Sequence, residues 1–280
     1  MAYIPVDVNY AVRRECLRRG YSERTIETYQ DCIQRFLEFS GKSIDKIGKE
    51  DALNFLYYLR EKEKSGSTIN VYHMAIRFLL EDILRKNIRL NIKYSKRAEK
   101  LPLVLSKEEV KRLIESISNL KHRLMISLLY GAGLRASELL NLKVKDLEID
   151  KNYGFVRQGK GNKDRLFIIP SSLKQELINL IENEGLNEED YLFTSNRQEG
   201  YSIRSLQEII KKAVRISKIE KQVHPHTLRH SFATHLVEQG NSISEVQSLL
   251  GHSSPETTQI YLHTSSKNLI SVRSPLDNLQ

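Results

Sequence analysis

Apolar residues recur three and four positions apart through roughly the first 90 residues, the spacing of one helical face. In "SERTIETYQDCIQRFLEFS", Ile26, Tyr29, Ile33, Phe36 and Leu37 share a face, and Ser22 stands where an N-cap belongs. "KEDALNFLYYLREK" repeats the pattern with Leu53, Leu56, Tyr57 and Leu59, and Arg60 at the edge. "STINVYHMAIRFLLEDIL" does so with Ile69, Tyr72, Ile76, Leu79, Leu80 and Ile83, and His73 beside them reads as a packing or surface residue. Turn-like "SGKS" and "KSGS" separate the three. The pattern predicts a small all-helical unit.

The period then stops. "IKYSKRAEKLPLVLS" is basic and without helical spacing, and Pro102 disfavours helix at Leu101. It reads as a linker, centred on residues 94–104, between an N-terminal unit (1–93) and a second unit (105–280). The second unit opens with a capping box, Ser106 with Glu109, ahead of Val110, Leu113, Ile114 and Ile117. A helix over "RLMISLLYGAG" is broken by Gly131 and Gly133. In "YGFVRQGKGNKDRLFIIP", two β-rich segments flank the tight-turn signal Gly159-Lys160-Gly161-Asn162. Helices are predicted over 171–183, 202–216, 226–239, 242–250 and 254–263. The fold class is mainly α, an α+β chain of more than one domain with a small antiparallel sheet.

Charge narrows the partner. The net charge of +9 points to an acidic partner, nucleic acid first and an anionic membrane surface second, against the plain alternative of a solvated basic protein. Residues 1–100 hold 20 Lys+Arg against 14 Asp+Glu, so the smaller part carries the denser positive charge. Cys16 and Cys32 lie in a chain with no secretory signal, which suggests a reduced, cytoplasmic protein without a structural disulfide. No apolar run reaches the length of a membrane span.

Half of the 8 histidines fall in "HPHTLRHSFATHL": His224, His226, His230 and His235. His226 and His230 are four apart, which could serve a metal; His226 and Arg229 are three apart, which could serve a phosphate. Three further stretches carry chemistry: "GAGLRASELLNL" with Arg135, "GKGNKDR" with Lys160, and "LLGHSSPETTQIYLH" with His252 and Tyr261. Singly, each has a plain structural reading: a surface arginine, a solvated turn lysine, a core tyrosine. Together they supply forked guanidiniums for a phosphodiester, imidazoles and an ammonium for its oxygens and protons, and a phenol to attack phosphorus. No carboxylate cluster is placed to hold Mg²⁺, so Arg and Lys would stabilise the charge.

In this order, "GLRASEL", "GKGNK", "HTLRHSFATHL" and "LLGHSSPETTQIY" resemble the tyrosine recombinase (phage integrase) family, and most of all its short Xer-type members, archaeal ones included. The resemblance covers nearly the whole chain. It implies a helical, SAM-like core DNA-binding domain followed by a mixed α/β catalytic domain. It implies that Arg135 and Arg229 clamp the scissile phosphate, that Lys160 protonates the departing 5′-oxygen, and that His226 takes the tyrosine proton. His252 would donate to a non-bridging oxygen, and Tyr261 would attack and remain joined to the 3′-phosphate. Glu138 would orient basic groups, His230 would support by hydrogen bonding, and His235 would be packed. Neither cofactor nor metal is implied. A zinc site on His226 and His230 stays as the alternative, without a third ligand or the Glu of an HExxH motif.

The resemblance further implies double-stranded DNA with a specific site as partner, and a homo-tetramer on it, with no membrane and no small-molecule substrate. Leu269, Ile270, Val272, Leu276 and Leu279 give the tail more apolar surface than a discarded end needs. Packing on its own domain is one reading; exchange onto a neighbouring subunit is the one the resemblance favours. Arg204, Gln207 and Lys211 in "SIRSLQEIIKKAV" can face one DNA groove, or can form a solvated helix face. The expected task is dimer resolution, of chromosomes or plasmids. Mobile-element integration, a type IB topoisomerase and a DNA-binding module without catalysis are the alternatives.

Overall fold

The computed structural model describes residues 7–88, 90, 103–157, 164–194, 200–251 and 274–278. It divides into two compact units, Met1–Lys100 and Leu101–Gln280.

The N-terminal unit comprises helices α1 (Val8–Arg18), α2 (Glu23–Ser40), α3 (Lys49–Glu61) and α4 (Gly66–Arg77). Ser22 caps α2 by accepting the Thr25 N–H at 3.3 Å, and Gly41 closes the helix in the left-handed region at φ 59°. Ile26, Tyr29, Ile33 and Phe36 are buried as their spacing requires, and each such burial contributes about 1.5–3 kcal/mol. Helix α3 turns differently from the expectation. Ala52, Phe55, Leu56 and Leu59 face inward, while Leu53 and Tyr57 are 42% and 66% exposed. "LNFLYYL" is apolar nearly all round, so spacing alone cannot choose a face; the rings of Phe36 and Phe55, 5.6 Å apart, choose it.

Helix α4 runs into a π-helical turn, Phe78–Ile83, that buries Phe78, Leu79, Leu80 and Ile83. His73 is buried with Nε2 3.4 Å from the Leu90 carbonyl, a packing role. Cys16 and Cys32 are both free and buried.

In the second unit, α5 (Lys107–Glu115) starts at the expected box: Ser106 Oγ accepts Glu109 N–H and Glu109 accepts Ser106 N–H. Helix α6 (Leu120–Gly131) is buried along most of its length and forms the centre of the core. Short α7 (Ala136–Leu140) follows, then an antiparallel sheet in the order β1 (Leu147–Glu148), β2 (Tyr153–Val156), β3 (Arg165–Ile168). Val156 pairs with Arg165, so the hairpin register is fixed, although its tip at 158–163 lies outside the described residues. Helices α8 (Lys174–Glu184), α9 (Ile203–Ile216), α10 (Pro225–Glu238) and α11 (Ile243–Leu250) follow, and the helix expected over 254–263 lies outside the described residues. The chain is thus mainly helical with one small antiparallel sheet. No helix of the described residues is long and apolar enough to cross a membrane.

Near the end of the chain, a short turn at Pro275–Asn278 lies on its own unit. Leu276 is buried against Gly131, where an added Cβ would sit 2.8 Å from Leu276 Cδ2 and 2.6 Å from Pro170. Asp277 accepts from the Ser171 and Ser172 N–H groups at 3.2 and 3.0 Å. This stretch therefore packs at home in the single chain, the reading the resemblance did not favour. Leu269, Ile270, Val272 and Leu279 lie outside the described residues.

Candidate active site

The turn after α6 begins the site. Gly133 has φ +60°, and a Cβ there would lie 2.5 Å from the Phe232 ring, so only glycine fits. The chain then enters α7 with Arg135 at its N-cap and Glu138 on its first turn. Glu138 folds back to accept the Arg135 N–H at 2.8 Å and the Arg135 guanidinium at 2.5 Å. Its other partner comes from the sheet: Arg165 Nη2 is 2.6 Å from Glu138 Oε2. Arg229, three residues beyond His226 on α10, brings Nη1 to 3.6 Å from the same oxygen. Among the described residues, three guanidiniums thus share one carboxylate, which leaves two positive charges over.

These groups are out of water. Side-chain exposure is 4% for Glu138, 5% for Arg229, 9% for Arg165 and 18% for Arg135. Burial alone would raise the Glu138 carboxyl, but the Arg165 charge and hydrogen bonds from Arg165 and Arg135 outweigh it and hold it at about 2. Burial, then the neighbouring Arg165 and Arg135 charges, push Arg229 down to about 9. A guanidinium does not give up its proton near neutrality, so the shift expresses strain in the charged state that an anion would relieve.

The same arginines hold the end of α11. Arg165 Nη1 donates to the Leu249 carbonyl at 2.5 Å, Arg229 Nη2 to the Leu250 carbonyl, and Arg135 Nη2 lies 3.5 Å from the Gly251 carbonyl. Arg229 Nη1 also donates to the Gly133 carbonyl at 2.7 Å. Carbonyls at a helix C-terminus lack helical partners and carry partial negative charge, so three cations suit them.

Helix α10 starts with Pro225 at its first turn and His224 as N-cap. His226 is exposed at this end; burial of part of its ring, then the charges of Arg229, His230 and Arg135, lower its pKa below 6.5. A neutral imidazole at neutral pH can accept a proton. His230 is exposed one turn further on, while His235 is buried with Nδ1 2.9 Å from the Tyr130 hydroxyl. On α9, Ser202 caps the start, Leu206, Ile210 and Ala213 face the core, and Arg204, Gln207 and Lys211 are exposed. Lys211 is paired to Glu208 at 2.7 Å on that exposed face.

The structure thus brings Arg135, Glu138 and Arg229 together and sets His226 beside them. Lys160, His252 and Tyr261 lie outside the described residues. Arg165 was not expected. Its signal was available in the strand period, because it stands two residues before buried Phe167 and so shares the inward face of β3.

Comparison with known proteins identifies the family of both units. Residues 103–268 match the phage integrase family, and residues 10–90 match the N-terminal SAM-like domain of phage integrases. The chain is 39% identical over 257 residues to the tyrosine recombinase XerA of Thermococcus kodakarensis, covering 89% of this chain and 88% of that protein. It is 35% identical over 274 residues to the tyrosine recombinase XerD of Oceanobacillus iheyensis, covering 90% and 92%. A crystal structure of XerA recombinase superposes with a TM-score of 0.52 at 30% identity, covering 94% of this chain and 95% of that one. A post-cleavage complex of the XerH site-specific recombinase with a palindromic difH substrate gives 0.70 at 26% identity, covering 93% and 82%. Matches over both units and relatives of this similarity place the chain in the phage integrase family, and it is a member of it. Within that family it is of the Xer tyrosine recombinase type, an enzyme that cuts and rejoins DNA.

Proposed function

We propose that this recombinase works on a specific double-stranded site through a 3′-phosphotyrosyl intermediate, with Arg135 and Arg229 as the phosphate clamp. The observation that carries the reading is the buried trio of guanidiniums on Glu138, with an exposed His226 of lowered pKa beside it. Two uncompensated positive charges in a poorly hydrated site favour an anion strongly, and more so as charge builds in a pentacoordinate phosphorane. Tyr261 Oη attacks phosphorus and passes its proton to His226. The P–O bond to the 5′-oxygen breaks, and Lys160 gives that oxygen its proton. His252 donates to a non-bridging oxygen, and Glu138 keeps the guanidiniums in register, with His230 supporting His226 from the next turn. The reverse sequence rejoins a strand, so the phosphodiester energy is kept in the tyrosyl ester. Neither ATP nor a metal enters the steps.

Residues 94–104 link a core DNA-binding domain (1–93) to the catalytic domain (105–280). Arg204, Gln207 and Lys211 of α9 read the major groove, with Arg204 on a guanine edge as the leading contact. Four subunits act on paired sites through a Holliday junction, and the tail passes to a neighbour as they assemble. The task is dimer resolution in the cytoplasm, in keeping with relatives named XerA and XerD.

The test starts by selecting bound duplexes from a random DNA pool, then nicking the selected half-site next to the cleavage position. Wild-type protein should trap a protease-sensitive covalent adduct in the presence of EDTA, and Tyr261→Phe should bind equally and trap none. An adduct with the phenylalanine variant removes Tyr261 from its role. Activity lost in EDTA and restored by Zn²⁺ or Mg²⁺ removes the metal-free mechanism.

A further inference from the structure

Arg165 is the one member of the arginine trio that the phosphate clamp leaves over, and its surroundings are unusual. It starts β3, the strand that leaves the Lys160 hairpin, and its side chain is 9% exposed. One Nη binds Glu138 at 2.6 Å and the other binds the Leu249 carbonyl at 2.5 Å. Nε is buried with no partner among the described residues. Gly251 covers this edge of the side chain: at φ +60° its absent Cβ would lie 2.6 Å from Arg165 Cδ and 3.3 Å from Nε. Both outer nitrogens are therefore anchored inside the protein, and the inner one is sealed. Such a side chain cannot reach a phosphate without leaving its place.

What it does hold is the geometry of the others. Glu138 Oε2 receives Arg165 at 2.6 Å and the Arg135 N–H at 2.8 Å, and it stands 3.6 Å from Arg229. The Leu249 carbonyl belongs to the same turn as the carbonyls that Arg229 and Arg135 approach. That turn leads directly into His252. A forked guanidinium can bridge a carboxylate and a carbonyl at fixed separation; an ammonium offers a point charge with no such fork.

We propose that Arg165 is a positioning residue for strand cleavage: its guanidinium ties the Glu138 carboxylate to the end of α11 and so fixes the directions in which Arg135 and Arg229 present their donors. The proposal rests on the reading of Arg135 and Arg229 as the phosphate clamp. It also links the hairpin strand to the turn before His252, so that one buried side chain registers both approaches to the site.

The test uses full-length Arg165→Lys and Arg165→Gln on the selected nicked half-site, below the melting range of each variant. Half-site affinity should stay within about threefold of wild type in both. Single-turnover cleavage should fall about tenfold in Arg165→Lys and about a hundredfold in Arg165→Gln. Because Arg165 acts through Glu138, the double variant Arg165→Gln/Glu138→Gln should cleave no more slowly than Glu138→Gln alone. A folded Arg165→Gln that cleaves at the wild-type rate overturns the proposal. So does loss of affinity in step with cleavage, which would make Arg165 a direct phosphate ligand, or a fully multiplicative double variant. Failure of both single variants to fold assigns Arg165 to the fold alone and also overturns it. Arg135→Lys run in parallel separates the two readings: if it cleaves normally the clamp itself is wrong, and if it fails while Arg165 variants are normal only the present inference falls.

Discussion

Glu138→Gln changes one oxygen to nitrogen and keeps the volume, so it isolates the charge at the centre of the site. The wild-type carboxylate is held at about 2 against an ordinary 4.5, which corresponds to about 3 kcal/mol of folding free energy near neutrality. Removing one partner of a buried ion pair costs about 3–5 kcal/mol by independent measure, so the two routes agree. In a catalytic unit of this size, about 3 kcal/mol lowers the melting temperature by about 6–12 °C. The chain has no tryptophan, so unfolding is followed by far-UV circular dichroism, with hydrogen exchange of α7 and α10 peptides to assign the transition to the catalytic unit. The pH dependence has a definite sign. A carboxyl with a depressed folded pKa contributes fully above its unfolded value near 4.5, and the contribution fades as pH falls toward 2. The gap between wild type and variant should therefore close across that window. Sulfate should narrow the gap at pH 7, because the variant leaves Arg135, Arg165 and Arg229 with no carboxylate partner among the described residues. A variant that melts within about 1 °C of wild type, or a gap unchanged between pH 7 and pH 3, would refute the view that Glu138 neutralises the site.

Arg135→Lys keeps the charge and loses the fork, so cleavage should fall on the order of a hundredfold with far smaller change in half-site affinity; wild-type cleavage would sink the assignment. The acid limb of the cleavage rate should lie below pH 6.5, since the charges of Arg229, His230 and Arg135 and partial burial lower His226; a limb above 6.5 that His226→Gln abolishes would contradict this. Leu276→Ala should destabilise the catalytic unit by about 2–3 kcal/mol in urea, and a chain ending at Ser266 should lose at least as much while still binding one half-site. If removing the tail costs no stability, the contact with Gly131 is incidental; if the shortened chain binds a full site with unchanged cooperativity and still recombines, exchange of the tail between subunits is wrong.

The sequence was most readable where a local rule acts alone. Ser22 and Ser106 announce helix starts because a cap needs only its own turn, and the buried faces of α2 and α4 follow from spacing. The α3 face was not readable, because Leu53 and Tyr57 continue an apolar run that only the packing of Phe36 on Phe55 resolves. In the candidate site, Arg135, Glu138, His226 and Arg229 were singled out through their spacing and the resemblance it carries, and the fold brings them together. Arg165 was missed because a charged residue at the start of a strand reads as solvated, and its partners lie 27 and 84 positions away. The grip on the α11 carbonyls could not be read at all, since backbone oxygens have no letter in a sequence.

The arrangement of charge explains why the site takes this form rather than a simpler one. Three guanidiniums held without counter-charge would repel one another in a medium that screens poorly, and a second carboxylate would stabilise them at the expense of any affinity for phosphate. Glu138 offsets one charge. The Leu249, Leu250 and Gly251 carbonyls, at the negative end of α11, offset a further part without introducing a full charge. The guanidiniums remain ordered and electron-poor, and each has five N–H donors, more than these contacts use. In the proposed clamp, a phosphate would add to the existing bonds of Arg135 and Arg229 instead of replacing them. The protein meets the cost of ordering these side chains on folding, so under the proposed mechanism little reorganisation would be left for the moment when charge develops on phosphorus.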